Sequence, residues 1–298
     1  MKSFNQTSTD FTTISGDASA TNLAFGKSMI NQGIHHILSL SDWNFNKDSK
    51  DYTTVAATQD YNAPYNCLKV EFVRVYYGSL WYTPTEIRTG EEWSKLNNTT
   101  VSGDIPYFWY VSNRTRKISL FPIPSTGGAT MRVGFTKKQR DFSVADYTTG
   151  TLTTVLNSAA ITGAGVAWTA SMIGRGLKIT STATILGDFW FEILTIPTAL
   201  TMTIRELTPA VVAGASYTIS EMIPFLDGFE DIPLYYALEK YYQMRIQPVQ
   251  AREYERMWRD GVQEMLGRDQ RSATGILEKQ TPLQVVNPNS NPWSITIT

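Results

Sequence analysis

Apolar residues recur at helical spacing near the start of the chain, between residues 22 and 40. Leu23, Ile30, Ile34 and Leu38 illustrate this spacing, which predicts an amphipathic helix. An aromatic-containing break at residues 42–45 follows. The pattern therefore predicts one N-terminal helix that lays an apolar stripe against the rest of the protein.

Between residues 52 and 142 the pattern changes to short β-branched and aromatic runs separated by Pro and Gly turns. Such runs are typical of β-strands, and their number and spacing predict a small sheet or barrel. The predicted strands include residues 70–76, 107–111, 117–121 and 130–135.

Residues 143–220 contain few charged residues and many Thr, Ala, Gly, Val and Ile residues. Short alternating runs are divided by Gly or Pro, which favours a separate all-β module of the sandwich type. The charge pattern changes again after residue 221, where two helices are predicted at residues 231–246 and 249–266. Pro248 suits the start of the second helix, and Gly267 suits its end.

These patterns together predict an α+β protein. We expect a helical bundle made of the N-terminal helix and two C-terminal helices, a small β-sheet or barrel region, and an inserted all-β, sandwich-like module. The expected domains are a discontinuous body at residues 1–142 and 221–274, the inserted β-module at residues 143–220, and an extended tail at residues 275–298.

The predicted tail has no helical period and is rich in Pro and Asn. Large apolar side chains in an extended segment gain most from burial against another surface. We therefore predict that the tail binds a partner through its apolar residues. These residues are Leu283, Val285, Val286, Trp293 and Ile295.

Composition narrows the function classes. Of the 298 residues, 18% are charged and 12% are aromatic, which excludes disorder for the chain as a whole. The net charge of −1 gives no global attraction to nucleic acid or to an anionic membrane. The N-terminus lacks a signal-peptide core, and no apolar run could span a membrane, so we expect a protein made in a cytoplasm without membrane contact.

Candidate chemistry is sparse. Cys67 is expected to be a core residue, and a single cysteine cannot form an intramolecular disulfide. His35 and His36 would point about 100° apart on a helix, so we expect one to be buried and the other exposed rather than a shared metal site. Residues 163–165 fit a turn better than a phosphate loop. We therefore expect no catalytic residue, no cofactor and no metal.

An acidic cluster before the first C-terminal helix contains Asp227, Glu230 and Asp231. It permits a cation-binding interpretation, although acidic residues at a helix start also favour the helix dipole.

Three arginines of the second C-terminal helix fall on one helical stripe. Arg252, Arg256 and Arg259 are interleaved with acidic residues at Glu253 and Glu255. Mixed charge of this kind favours a solvated or intersubunit salt-bridge face over a nucleic-acid site. We therefore predict that the three arginines supply intersubunit or channel-facing charge.

The order of the segments resembles a known family. Four segments carry the resemblance: the helix at 22–40 with Asp42-Trp43-Asn44-Phe45, the turn Tyr61-Asn62-Ala63-Pro64, the run from Asp104-Ile105-Pro106 to Phe121-Pro122-Ile123-Pro124, and the helix entry Phe229-Glu230-Asp231-Ile232-Pro233. This order is similar to that of the head-to-tail adaptor proteins of tailed bacteriophages, of the portal-adaptor or tail-tubular type.

The resemblance implies a structural virion protein that acts at the head-tail connector after assembly in the host cytoplasm. It implies a ring-shaped homo-oligomer, typically a dodecamer, that binds the portal protein and a tail or nozzle protein. Genomic DNA would pass through the ring without sequence-specific binding.

Two other functions remain open at this point. One is a phage tail or capsid decoration protein whose β-module binds a host or capsid surface, an idea motivated by Trp168, Trp190 and Phe191. The other is a hydrolase with an unrecognised site, for which only scattered carboxylates are available.

Overall fold

The structure is a computed structural model that describes residues 2–279, except Tyr65, Thr99, Asn113 and residues 181–188. For residues 271–279 only the helical backbone is described. The helices are α1 (Phe4–Ser15), α2 (Ala20–Ser39), α3 (Gly90–Leu96), α4 (Ile232–Met244) and α5 (Pro248–Lys279), with short 3-10 turns at Asn44–Asn46 and Ala170–Met172.

Sixteen strands complete the described part of the chain. They are β1 (Lys47–Thr53), β2 (Asp60–Asn62), β3 (Cys67–Tyr77), β4 (Leu80–Tyr82), β5 (Thr85–Ile87), β6 (Ser102–Gly103), β7 (Phe108–Val111), β8 (Lys117–Phe121), β9 (Ile123–Pro124), β10 (Thr130–Lys137), β11 (Thr151–Thr154), β12 (Ala160–Ala164), β13 (Gly176–Thr180), β14 (Trp190–Thr198), β15 (Thr201–Ile204) and β16 (Val212–Ser220). The predicted α+β class is confirmed.

Helices α1, α2, α4 and α5 form a helical body around one core. Serine side chains cap the first two helices, because Ser3 accepts a hydrogen bond from the Gln6 amide and Ser19 accepts one from the Asn22 amide. Gly26 of α2 lies against the ring of Phe11. The glycine therefore permits a close helix approach.

Helix α1 was not predicted from the sequence, so the predicted first helix is in fact the second. The segment FNQTSTDFTTIS contains many Thr and Ser residues, which have modest helix propensity. Its large buried side chains are Phe4 and Phe11. Two aromatic anchors spaced seven residues apart hold α1 on the core, although they are too few to give a clear helical period.

The predicted end of the last helix at Gly267 is wrong, because α5 continues to Lys279. Contacts with the body on both sides of Gly267 keep the helix continuous through the glycine. Met265 is buried in the body core, and the buried Asp269 carboxylate accepts hydrogen bonds from the backbone amides of Asn44 and Phe45 at 2.9 and 3.1 Å. Gly267 lies between two residues that fix the helix to the body, and a helix tolerates one interior glycine at about 1 kcal/mol.

The predicted small sheet or barrel consists of two four-stranded sheets, in the orders β1-β10-β3-β4 and β2-β8-β7-β5, and a two-stranded sheet of β6 and β9. The β5–β7 and β6–β9 pairs are parallel, whereas the other pairs are antiparallel. Val73 and Met131 of the first sheet share one buried core with Trp109 and Leu120 of the second. Cys67 belongs to the same core, as expected.

The inserted β-segment differs from the predicted sandwich in one respect, since its six strands close into a barrel in the order β11-β12-β15-β14-β13-β16. Strand β16 makes this closure by pairing with both β11 and β13. The interior is filled by apolar residues that include Leu177, Ile193 and Tyr217. The domain limits expected from the sequence stay predictions.

The two connections to the barrel lie side by side. Tyr147 forms an antiparallel bridge with Ile219, and the buried Glu221 carboxylate accepts hydrogen bonds from the amides of Ser143 and Val144 at 2.8 and 3.0 Å. The Glu221 carbonyl also accepts a hydrogen bond from the Phe4 amide. One residue thus links the entry to the barrel, its exit and helix α1.

Candidate assembly surfaces

The three predicted arginines all lie exposed on α5. Arg259 forms an ion pair with Glu255 at 2.7 Å, and its guanidinium lies 5.1 Å from the centre of the Trp258 ring. Arg252 and Arg256 form no ion pair with another residue that the structure describes. Since they are four residues apart, these two guanidiniums share one helix face. Their assignment to an intersubunit or channel surface stays a prediction.

The predicted tail residues Leu283, Val285, Val286, Trp293 and Ile295 lie outside the described residues. They follow α5 in the sequence, so the helix leads directly into the proposed partner-binding segment.

An exposed apolar apex, formed by Met244, Ile246 and Val249, lies at the turn from α4 to α5. These residues are 60%, 87% and 74% exposed. Ile246 has a φ of +57°, a conformation that β-branched residues rarely adopt. A strained isoleucine that faces solvent is unfavourable for an isolated subunit. The apex therefore has the character of a contact surface, which the sequence pattern did not indicate.

The outer face of the first sheet carries aromatic and arginine side chains. The strand register places Asp51 opposite Arg132 and Tyr76 opposite Trp81. Arg132 forms a two-pronged ion pair with Asp51 at 2.7 and 2.8 Å, and its guanidinium lies 5.0 Å from the centre of the Trp81 ring. The hydrogen bond from Arg132 holds the pKa of Asp51 below its usual value.

The neighbouring strand extends this outer sheet face. The Tyr76 and Trp81 ring centres are 5.2 Å apart, and the Arg74 guanidinium lies 5.0 Å from the Phe72 ring. Trp, Tyr and Arg are the residue types that most often dominate binding energy at protein interfaces. The outer sheet face is therefore suited to bind another protein chain.

One end of the barrel forms a second apolar surface. Thr208 joins the two loops at this end, because its single hydroxyl proton is shared between the carbonyls of Val155 and Ser158. The exposed apolar side chains on these loops are Val155, Leu156, Leu207 and Val211. Trp168 and Phe191 are instead buried in the barrel, and Trp190 is only partly exposed.

The sites considered for chemistry do not come together. Burial raises the pKa of the Cys67 thiol, which disfavours the nucleophilic thiolate. His35 lies 2.8 Å from Asp141, and the His36 ring lies 5.6 Å from the Tyr236 ring. Both histidines are exposed, so the expectation of one buried histidine is wrong. The stripe of α2 that faces the core passes through Ile34 and Ile37 instead.

The acidic residues before α4 have local structural roles. Asp231 pairs with Lys2 at 2.6 Å, Glu230 accepts a hydrogen bond from the Gly228 amide, and the Asp227 carbonyl accepts one from Arg268. Within the described ranges, no group of three or more His, Cys, Asp or Glu side chains is arranged to hold a metal ion. None of the helices described is both long and apolar enough to cross a membrane.

Comparison with known families decides the class of the protein. The family model described as SU10 adaptor protein matches residues 9–172, which is more than half of the chain. The chain belongs to the SU10 adaptor protein family. The match begins inside α1 and continues through α2 and both sheets to the first strands of the barrel. No curated protein matches the chain significantly.

The SU10-family adaptor is thus a structural component of a bacteriophage particle that interacts with portal and tail components, and the family is not one of enzymes. The outer sheet face of this adaptor lies within the matched segment. The apolar apex and the arginine stripe of α5 lie beyond it.

Proposed function

We propose that the adaptor assembles into a ring, a dodecamer, between the portal and the tail, and that this ring extends the channel for DNA. The observation that carries the proposal is the family match over residues 9–172. We assign the adaptor to the head-tail connector of the virion, with assembly in the host cytoplasm. Its tail-side partner would be a tail or nozzle protein.

A ring of identical subunits needs two different contact faces on each subunit, because a head-to-tail interface closes only by repetition around an axis. The outer sheet face and the apolar apex are two such surfaces on separate parts of the adaptor. The outer sheet face offers rigid aromatic and arginine anchors, and the apex offers exposed aliphatic side chains. Their pairing across a subunit boundary would bury the exposed aromatic and aliphatic side chains of both surfaces.

The arginine stripe suits contact with carboxylates of a neighbouring chain. Arg252 and Arg256 have charges that are not paired within the described part of the subunit, whereas Glu253 and Asp260 are exposed on the same helix. Those carboxylates would repel DNA phosphates. We therefore assign the stripe to the subunit boundary and expect DNA to pass without sequence-specific contacts.

The test is the state of assembly of the purified adaptor, alone and mixed with its cognate portal. Mass photometry would give the number of subunits, and class averages from negative-stain images would give the rotational symmetry. We expect rings of twelve subunits, either free or formed on the portal. An adaptor that stays monomeric and never joins the portal would overturn the proposal.

A second function is favoured by the exposed barrel end, namely binding of the β-module to a host or capsid surface. Two of the three aromatic residues that first motivated this idea are buried, so the exposed aliphatic residues would have to carry the binding. The full-length variant Leu207→Ser with Val211→Ser tests it. Loss of binding to host envelopes or capsids, with ring assembly unchanged, would support this function, whereas unchanged binding would contradict it.

A further inference from the structure

A cleft of about 560 Å³ separates the barrel from the first sheet of the body. Its walls come from the body around β1 and the end of β10, from the barrel segment before β13, and from the connection at Glu221. A volume of this size is typical of sites for small ligands.

The lining of this junction cleft is unbalanced in charge. Among its described residues, six are Lys or Arg and three are Asp or Glu. Arg205 pairs with Glu192 at 2.7 Å, and Arg140 pairs with Glu221 at 3.3 Å. The cationic residues are Lys50, Lys137, Lys138, Arg140, Arg175 and Arg205. The cleft therefore carries a surplus of positive charge after its internal ion pairs are formed.

Arg175 is the decisive residue, since it is only 6% exposed. Its Nε atom is buried and has no hydrogen-bond partner, although a guanidinium carries five donors. Burial lowers the pKa of Arg175, the charge of Glu221 opposes that change, and the charge of Arg140 adds to it. A buried guanidinium with an unsatisfied donor is unfavourable unless an acceptor approaches it.

Glu221 alone does not balance this charge. Its side chain is 1% exposed and already accepts hydrogen bonds from two backbone amides and pairs with Arg140. Two guanidiniums thus compete for one buried carboxylate. The surplus charge of the cleft and the unsatisfied Nε donor both favour a second anion beside Arg175.

We propose that the junction cleft binds an oxyanion, a phosphate or carboxylate group, on the guanidinium of Arg175, with Arg140 and Lys138 as further cationic contacts. Guanidinium groups bind both kinds of oxyanion through paired N–H donors. Arg175 belongs to the barrel segment, whereas Lys138 and Arg140 follow β10 of the body. A bound oxyanion therefore fixes the barrel against the body, and this does not depend on ring formation.

The oxyanion could be a free ion or a carboxylate side chain of a second copy of this chain, and both provide the same chemistry. Duplex DNA is a different ligand class. Its major groove alone is about 12 Å wide, so a duplex would not enter a cleft of this volume. DNA binding is treated below as a contrary outcome.

The experiment uses the full-length adaptor with inorganic phosphate as the probe. The thermal midpoint is measured as phosphate replaces chloride at constant ionic strength, and binding is followed directly by the width of the phosphorus-31 signal. We expect a saturable rise of about 2–4 °C. Arg175→Met should abolish this rise, and Arg88→Gln, an exposed arginine outside the cleft, should retain it.

Arg175→Met also tests whether the buried guanidinium destabilises the subunit when no oxyanion is bound. Without phosphate, this variant should unfold at the same or a higher temperature than the wild type, because it removes a buried cation. If it fails to fold, Arg175→Lys keeps the charge but loses the paired donors. The phosphorus-31 signal of phosphate mixed with this variant should then show at least tenfold weaker binding than with the wild type.

The possible outcomes distinguish a free oxyanion from a carboxylate of a second copy, and both from results that contradict the proposal. Saturable phosphate binding lost in the Arg175 variants supports a free oxyanion. Self-association that requires Arg175 and is reversed by phosphate supports the carboxylate of a second copy. An equal response to chloride, no effect of phosphate on stability or association, or Arg175-dependent binding of duplex DNA without phosphate binding would each overturn the proposal.

Discussion

Gly26 of α2 lies where the ring of Phe11 packs against the helix. A Cβ at this position would lie 2.3 Å from the Phe11 Cδ1 atom, far inside van der Waals contact. Intrinsic propensity favours Ala over Gly by about 1 kcal/mol inside a helix, whereas overpacking a core is unfavourable by about 1–3 kcal/mol. We predict that Gly26→Ala lowers the free energy of unfolding by up to about 2 kcal/mol, because the cost of overpacking exceeds the gain in helix propensity.

Urea unfolding followed by circular dichroism would measure this change. The matched control is Ala24→Gly, at an exposed position of the same helix, which reports propensity alone and should be unfavourable by about 1 kcal/mol. A stabilised Gly26→Ala variant would show that α1 does not approach α2 as closely as described.

Tyr217 gives the barrel a dependence on alkaline pH. Its hydroxyl donates a hydrogen bond to the Thr149 carbonyl at 2.6 Å and accepts one from the Trp168 ring at 2.9 Å. Burial, the largest cause, raises the pKa of Tyr217 to about 12. The folded protein therefore keeps this proton at a pH where the unfolded chain, with a pKa of about 10, releases it.

The sign of the effect follows from proton linkage. The stabilisation is complete below pH 10 and is lost as the pH rises from about 10 to about 12, by roughly 2–3 kcal/mol. We predict that Tyr217→Phe is less stable than wild type at pH 8 but loses less stability above pH 10. Urea midpoints across this range would test it, with the exposed Tyr107→Phe as the control. Equal slopes for wild type and Tyr217→Phe would contradict the prediction.

At the scale of single residues, the sequence predicted placement on a helix face but not exposure in the fold. The spacing of Arg252, Arg256 and Arg259 put them on one stripe of a helix, and the structure has all three exposed on α5. Exposure of Ile246 could not be predicted, because it depends on the left-handed backbone between two helices. The unsatisfied Nε donor of Arg175 could not be predicted either, since the surroundings of this residue come from the body and the barrel together.

At the scale of elements, periodicity identified α2, α4 and most strands, because each of them buries a regular stripe. It missed α1, which has only two large anchors, and it ended α5 too early at Gly267. The closure of the barrel could not be predicted from the alternation of apolar and polar residues either. It requires β16 to pair with β11 and β13, which are distant in sequence, and alternating strands fit a sandwich equally well.

The turn from α4 to α5 provides a prediction that couples stability to assembly. A non-glycine residue in the left-handed region is unfavourable by roughly 1–2 kcal/mol, and Ile246 also exposes an apolar side chain. Ile246→Gly should therefore raise the stability of the isolated subunit by about 1 kcal/mol. The same change removes the centre of the apolar apex and should reduce ring assembly.

The control Ile246→Thr separates these effects, since threonine keeps the β-branched strain but loses the apolar surface. It should reduce assembly without stabilising the subunit. Thermal midpoints and mass photometry at several concentrations would measure both quantities. Unchanged assembly in both variants would remove the apex from the proposed subunit boundary.

At the scale of the whole molecule, the described residues form three parts: a helical body, a region of β-sheets and a closed barrel. The three hydrophobic cores formed by the described residues lie within residues 4–265. We therefore expect the subunit to fold without the apolar residues beyond Lys279. In the proposed ring, those residues are free to serve assembly.

We predict that deletion of residues 281–298 weakens assembly and leaves the subunit folded. The truncated chain should keep its circular dichroism spectrum and its thermal midpoint, because every buried side chain named above is retained. Rings or portal complexes should form only at higher protein concentration, by at least tenfold, since the lost side chains contribute about 1.5–3 kcal/mol each when fully buried. The full-length variant Leu283→Ser with Trp293→Ser controls for chain length and should show part of the defect. Assembly equal to wild type in both variants would assign the ring contacts to the body alone, with the outer sheet face and the apolar apex as the surfaces that remain.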